Sequence, residues 1–166
     1  MKHQTYVFAD DGAMPNNRLP LIVYPGMVAA GAGDAAVAFE TLFASNGWGG
    51  MWRNGIYPFH HYHSTAHEVL GIAGGRAEVR FGGERGQTLA VKAGDAVLIP
   101  AGCGHKRVSA SHDLLVIGAY PKGQWADLMR EGAEDRAGIR ARIAAVPMPA
   151  ADPLGGKAGP MASAWK

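Results

Sequence analysis

Between Trp48 and Tyr120 the chain is cut into short apolar runs by glycine-rich turns at Gly74-Gly75, Gly82-Gly83, Ala93-Gly94-Asp95 and Ala101-Gly102. Helices of ordinary length do not fit between such breaks, because glycine in a helix interior costs about 1 kcal/mol relative to alanine. The runs are rich in Val, Leu, Ile, Tyr and Phe, which pack well on a pleated surface. Evenly spaced strands of this kind predict an antiparallel sandwich or barrel, an all-β fold. The 24 glycines and 10 prolines among 166 residues point the same way and argue against a helical bundle.

The flanks carry other patterns. Tyr6-Val7-Phe8 followed by Asp10-Asp11-Gly12 reads as a short strand running into a turn. Asp34 can cap a helix whose apolar Ala35, Phe39, Leu42 and Phe43 fall at i, i+4, i+7 and i+8, until Asn46-Gly47 stops it. After Pro121 the periodicity turns helical again. Trp125, Leu128, Met129 and Gly132 share one face, and Ile139, Ile143 and Val146 define a second short helix. That second helix has Glu134 and Asp135 early and Arg140 and Arg142 late, as the helix dipole prefers. The proline-rich tail, residues 148–166, should be an extended arm, packed by residues such as Leu154 and Trp165 or frayed. The expected organisation is one domain over residues 1–166, with a barrel core at about 48–120. A strand and helix in 1–47 precede it, and helices and a tail in 121–166 follow it.

Composition excludes several partners. The formal net charge is +2 with 18% charged residues, so there is no basic cluster to neutralise a phosphate backbone, and nucleic acid is not expected. The most apolar stretch, residues 19–32, is interrupted by Pro20 and Pro25 and falls short of the ~20 residues that cross a bilayer. The start, MKHQTYVFADDG, lacks an apolar core, so neither a signal peptide nor a membrane interaction is expected. Cys103 is the one cysteine, which rules out an intramolecular disulfide and fits a cytoplasmic location.

Chemistry concentrates in the histidines, three of the seven lying in His60-His61-Tyr62-His63. From Gly55, five residues lead to His61, one more to His63, four to Glu68 and six to Gly75. A second series runs from Gly94 through five residues to Pro100, one to Gly102 and two to His105. Residues two apart in a strand face the same way, so His61 and His63 should project together. Glu68 would return at the start of the next strand, and His105 would arrive from a strand distant in sequence. Three imidazoles and a carboxylate converging inside a barrel are hard to explain without a cation, because burying such groups unsatisfied costs several kcal/mol.

Both series resemble the two cupin motifs. The stretches FHHYHSTAHEVLGIAGG and GDAVLIPAGCGHKR, with the tail VPMPAADPLGG, are similar to the small bacterial cupins of the YjlB-like group. Ser109 departs from the pattern, since the second motif often has asparagine four residues after its histidine. The resemblance implies a double-stranded β-helix, or jelly roll, holding one divalent transition metal, with His61, His63, Glu68 and His105 as ligands. The residue chemistry agrees: imidazoles suit Fe, Mn, Co, Ni, Cu or Zn, and a single carboxylate favours octahedral first-row ions with open positions. A dication with one carboxylate keeps a local charge of about +1, which favours an anionic or enolisable oxygen ligand.

Around these four, His60 and Tyr62 should face the opposite side of the strand, with His60 a packing or surface residue. His67 reads as a histidine in a turn at the barrel rim, a hydrogen-bond partner of a ligand, or a proton donor. If the strand runs unbroken back from His63, then Tyr57 and Arg53 share the ligand face and could bind a carboxylate or phosphate, although Pro58 interrupts it. Tyr57 and His67 are the candidate proton-transfer residues. Cys103 reads as a small apolar filler, Lys106 and Arg107 as a solvated pair, and Trp48 and Trp52 as core, oligomer contact or barrel mouth. The expected function is that of a mononuclear metalloenzyme of dioxygenase or isomerase type acting on a small oxygen-bearing or anionic metabolite. A non-catalytic module binding a sugar or organic acid, its metal structural, is the alternative. A homodimer paired through an open sheet edge fits either.

Overall fold

The computed structural model describes residues 1–29, 33–132 and 135–166. Along the chain run β1 (Gln4–Phe8), β2 (Asn17–Tyr24), α1 (Ala35–Ser45), β3 (Trp48–Asn54), β4 (His61–Tyr62), β5 (Glu68–Gly74) and β6 (Arg76–Phe81). Then follow β7 (Gln87–Lys92), β8 (Ala96–Ile99), β9 (His105–Ala110), β10 (Leu115–Pro121), β11 (Met129–Arg130), α2 (Arg136–Ala144) and α3 (Met161–Ala164). The strands form two antiparallel sheets, ordered β1-β2-β8-β5-β10-β3 and β11-β4-β9-β6-β7. This is the all-β architecture that the glycine-punctuated pattern predicts and the jelly roll that the cupin resemblance implies.

Between the sheets, Leu21, Leu70, Ile72, Val97 and Val116 of the first meet Val79, Phe81 and Val91 of the second in one buried cluster. The outer face of the six-stranded sheet is covered as well. Ile22, Val69, Leu98 and Ile117 pack there against Phe39 and Phe43 of α1 and against Leu154, Met161 and Trp165 of the tail. A sheet covered on both faces needs continuous apolar runs rather than alternation, as in LIVY of β2 and AVLI of β8.

Helix α1 begins where Asp34 accepts hydrogen bonds from the Ala36 and Val37 amides, and it stops at Asn46 and Gly47, as predicted. It sits close to the sheet because β5 offers Gly71 beneath it. A Cβ at Gly71 would lie 2.6 Å from the Phe39 ring. The tail is packed rather than frayed. Buried Asp152 accepts hydrogen bonds from the Tyr24 hydroxyl at 2.7 Å and from the amides of Leu154, Gly155 and Met161 at 2.8, 2.9 and 3.0 Å. Trp165 Nε1 donates to Pro20 O at 2.8 Å, and Trp48 Nε1 to Ala151 O at 2.9 Å.

Two segments differ from expectation. Strand β2 contains Pro20, a residue that argues against a central strand. Here the β1 pairing is irregular between Tyr6↔Leu21 and Phe8↔Asn17, and pairing with β8 begins only at Ile22, so neither ladder needs an N–H from residue 20. Residues 125–130 are not helical: Trp125 is 83% exposed, and Met129 and Arg130 pair with Tyr62 and His61. The second predicted helix is present as α2, with Ile139 and Ile143 buried and Asp135 at its N-cap, whereas Glu134 lies outside the described residues. No helix among the described residues is long and apolar enough to cross a membrane.

Asp152→Ala should cost about 3 kcal/mol in chemical denaturation, because it leaves several buried donors unpaired, and Tyr24→Phe only about 1 kcal/mol. Gly71→Ala should cost about 1–3 kcal/mol by displacing Phe39. A Gly71→Ala protein as stable as wild type would show that α1 does not depend on this close approach.

Candidate metal centre

The site lies where one end of β4 and β9 faces the start of β5 across the barrel. His61 and His105 are direct partners in the β4–β9 pairing, with ring centroids 4.0 Å apart. His63 follows two residues after His61, and Glu68 opens β5 on the opposing sheet. The turn delivering His105 is tied to the first motif, since Gly102 N donates to His63 O at 2.7 Å. Gly102 has φ of 84°, and a Cβ there would stand 2.7 Å from Asn16 O, so glycine is required on both counts. Asn16 braces the same turn from outside, accepting from Gly104 N at 3.1 Å and donating to Ala9 O at 2.7 Å.

The candidate ligand atoms of His61, His63 and His105 all lie within 4.8 Å of one another, and the three rings are buried. Each ring turns its Nδ1 to a backbone carbonyl: Phe59 O and Cys103 O, each at 3.1 Å, and Asp127 O. A carbonyl can only accept, so the proton sits on Nδ1 in all three rings and Nε2 is the atom left for a ligand. Glu68 lies outside that mutual group but beside two of its members, Oε2 being 3.4 Å from His63 Nε2 and 3.2 Å from His105 Nε2. Neither contact has hydrogen-bond geometry, so Oε2 is buried without a donor. Converging Nε2 atoms beside an orphaned carboxylate oxygen are a donor set that fits a divalent cation.

Burial and mutual contact set the charges of these groups. Burial depresses the His61 imidazole to about 3, assisted by the neighbouring His105. Burial also opposes charge on His63, but the Glu68 carboxylate and the Asp127 carbonyl outweigh it and raise the imidazole to about 9. Burial pushes Glu68 up, and the adjacent imidazoles more than reverse this, holding it below the ordinary carboxylate range. A proton on His63 and a cation at its Nε2 would compete for the same place beside Glu68.

A cavity of about 510 Å³ opens onto these groups, lined also by Trp52, Asn54, Tyr57, Arg107, Tyr120 and Leu128. Tyr57 lines the cavity, half exposed, with its ring edge-on to His61 at 5.1 Å. Arg53 is not. The chain leaves β3 through an irregular stretch containing Pro58, which shifts the register, so Trp52 and Asn54 face the cavity. Arg53 instead grips both oxygens of Glu40 on α1, at 2.8 and 2.9 Å. His67 also stands apart from the cavity, buried rather than at the rim. Its Nδ1 accepts from Ala101 N at 2.9 Å and its ring packs on Trp165 at 4.7 Å, while burial lowers its pKa to about 4. It is a neutral brace for the turn that leads to His105, not a proton donor facing substrate. Cys103 is buried, its thiol pushed up to about 12 by desolvation, in keeping with an apolar filler.

Three cavity residues escaped the sequence reading. Arg107 is a wall residue rather than a solvated charge, and its position two residues after His105 in a strand was the available signal. The Tyr120 hydroxyl accepts from Trp52 Nε1 at 2.9 Å, and burial together with the facing Glu68 raises its pKa. Asp127 holds His63 through its carbonyl, and its carboxylate accepts from the Ser64 amide at 2.6 Å and from the Ser64 hydroxyl. Nothing local marks Asp127, because its role depends on how residues 121–130 fold back over the barrel mouth.

The chain is similar to several known proteins. The cupin domain family matches residues 51–117, the stretch holding both motifs. The uncharacterized protein YjlB of Bacillus subtilis (strain 168) is 41% identical over 163 residues, covering 98% of this chain and 96% of that protein. Among solved structures, the DMSP lyase DddQ from Ruegeria pomeroyi DSS-3 is 14% identical, with a TM-score of 0.39 over 80% of this chain and 53% of that one. A mutant of Bacillus subtilis oxalate decarboxylase OxdC is 17% identical, with a TM-score of 0.39 over 71% of this chain and 29% of that one. With YjlB matching it nearly end to end and both motifs delivering their histidines to one point, the chain belongs to the cupin superfamily.

Proposed function

We propose that the protein is a mononuclear metalloenzyme acting on a small oxygen-bearing or anionic metabolite. The observation that carries this reading is the orphaned Glu68 oxygen beside imidazoles whose Nδ1 atoms are all engaged by backbone carbonyls. His61, His63, His105 and Glu68 would hold one divalent first-row ion, whether Fe, Mn, Co, Ni, Cu or Zn. Such an ion, when bound, would supply Lewis-acid polarisation of an oxygen ligand, as isomerase chemistry needs, and a redox-active one such as Fe would add the electron transfer that dioxygenase chemistry needs.

The chain's own residues do the rest. The backbone carbonyls fix each imidazole's tautomer and aim, and Glu68 offsets part of the positive charge. Trp52 and Leu128 give apolar walls that limit water at the reacting atoms. Tyr57, half exposed at the mouth and against His61, is the candidate to exchange a proton with bound substrate. Tyr120, held by Trp52 Nε1 and facing Glu68, would stay protonated and able to donate. A lone buried cysteine supports a cytoplasmic location, and the edge strand β1, largely exposed, supports pairing with a second copy.

Protein purified without chelator should contain about one transition metal per chain by elemental analysis, and His61→Ala should lose most of it. Stoichiometric metal in His61→Ala would overturn the assignment. Stripping the ion should lower the melting temperature, by mass action on the folded state alone. Oxygen uptake by the Fe(II)-loaded protein, or isomerisation, should appear with one member of a panel of diols, keto acids and thiols and vanish in Glu68→Ala. A ligand-induced rise in melting temperature without turnover across the panel would mark a binding module instead.

A further inference from the structure

We propose that Arg107 is the specificity-determining anchor of this cavity, gripping the carboxylate of a small organic acid whose apolar body lies along the cavity wall. The proposal deepens the metal-site reading, on which it rests for the position of the acid's second oxygen.

Strand β9 sets His105 and Arg107 on one face, and the half-buried Arg107 side chain lines the same cavity as the imidazoles. Its position is fixed by the backbone. Arg107 N donates to Tyr57 O at 2.9 Å, locking β9 to the loop that carries Tyr57, and Arg107 pairs with Val79 on the other side. Among the described residues the guanidinium makes no hydrogen bond. Among the described residues no carboxylate lies within 4.0 Å of it, whereas Arg53, Arg136, Arg140 and Arg142 each have one. A partly desolvated guanidinium with no protein acid beside it is matched to a planar two-oxygen anion.

The other charges at the cavity cannot fill that role. Glu68 is enclosed by His63 and His105, and the Asp127 carboxylate is taken by Ser64, with Arg142 at 3.6 Å. A dication less the Glu68 charge leaves about one positive charge, and Arg107 adds another, so the cavity selects an anion. Size and lining narrow the class. About 510 Å³ far exceeds what a bare two-carbon chelator fills, and Trp52, Ile56, Leu70 and Leu128 present apolar surface. A 2-oxo or 2-hydroxy acid with an apolar side chain satisfies charge, volume and lining together.

The test is calorimetric binding of lactate, mandelate and phenylpyruvate, with lactamide and mandelamide as uncharged partners, to wild type, Arg107→Met and Arg107→Lys. Each protein is studied as purified and after chelator treatment, with metal content and melting temperature recorded. Wild type should favour mandelate over mandelamide by about tenfold or more, as charge-assisted pairing to a guanidinium predicts. Arg107→Met should lose most of that preference at unchanged metal content and near-unchanged melting temperature, and Arg107→Lys should keep part of it. Equal preference in wild type and a folded Arg107→Met, or no acid-over-amide preference in wild type at all, would overturn the proposal. If Arg107→Met fails to fold, an Arg107→Lys protein that keeps the whole preference of the fork-shaped guanidinium overturns it as well. A preference that survives chelator treatment in wild type and disappears in Arg107→Met supports the anchor by itself, so absence of metal by elemental analysis would remove the metal reading and leave the anchor standing.

Discussion

The structure turns on a carboxylate buried where no donor reaches one of its oxygens. Glu68 Oε2 lies against two imidazoles without a directed hydrogen bond to either, in a place where an uncompensated charge would cost several kcal/mol. The surroundings leave few ways to satisfy it. Each imidazole has its Nδ1 committed to a backbone carbonyl, so its Nε2 is the atom turned toward the carboxylate end of the site. Either a proton or a cation must hold this group together. The backbone geometry that engages every Nδ1 leaves the Nε2 atoms as the place where either would sit.

Keeping these groups in place is the task of the turns. Gly102 ties the His105 turn to His63, His67 ties the same turn to the tail through Ala101 and Trp165, and Asn16 closes it from the N-terminal side. His67 thus contributes to the site without touching it. Its ring is buried and neutral, and its Nδ1 accepts an amide hydrogen that a turn at this depth could not give to water. The tail takes part in the same way: Asp152 gathers Tyr24 and three tail amides, which seats Trp165 beneath His67.

The parts of this arrangement legible in the sequence are those set by short-range periodicity. His61 and His63 two apart in an extended stretch, Glu68 opening a strand, and Asp34 capping an apolar 3.6-residue repeat each follow from local geometry. The wall of the cavity is different. Whether Arg53 or Trp52 faces inward depends on how many residues the loop around Pro58 takes up, and that is settled by packing against β9 rather than by the strand period. Residues 125–130 carry a helical spacing of apolar side chains, yet pairing with β4 and the bonds to Ser64 and Thr65 decide their conformation. Strand β2 carries a proline whose missing donor costs nothing, because both neighbours leave that position unpaired.

The donor set is divided between two sheets of unequal support. Glu68 belongs to the six-stranded sheet, packed on its outer face by α1 and the tail, whereas His61 and His105 belong to the five-stranded sheet. In the second sheet, residues 108–110 of β9 are exposed. A cation held by both sets would therefore join the well-buttressed sheet to the less covered one at the end where the cavity opens. Occupancy of the site and stability of the barrel mouth are then linked, since whatever binds only the folded arrangement also favours it. The cavity wall is divided along the same line. Trp52 and Tyr120 stand on the firm sheet and Arg107 on the other, so a ligand touching all three would reinforce the junction that its own binding requires.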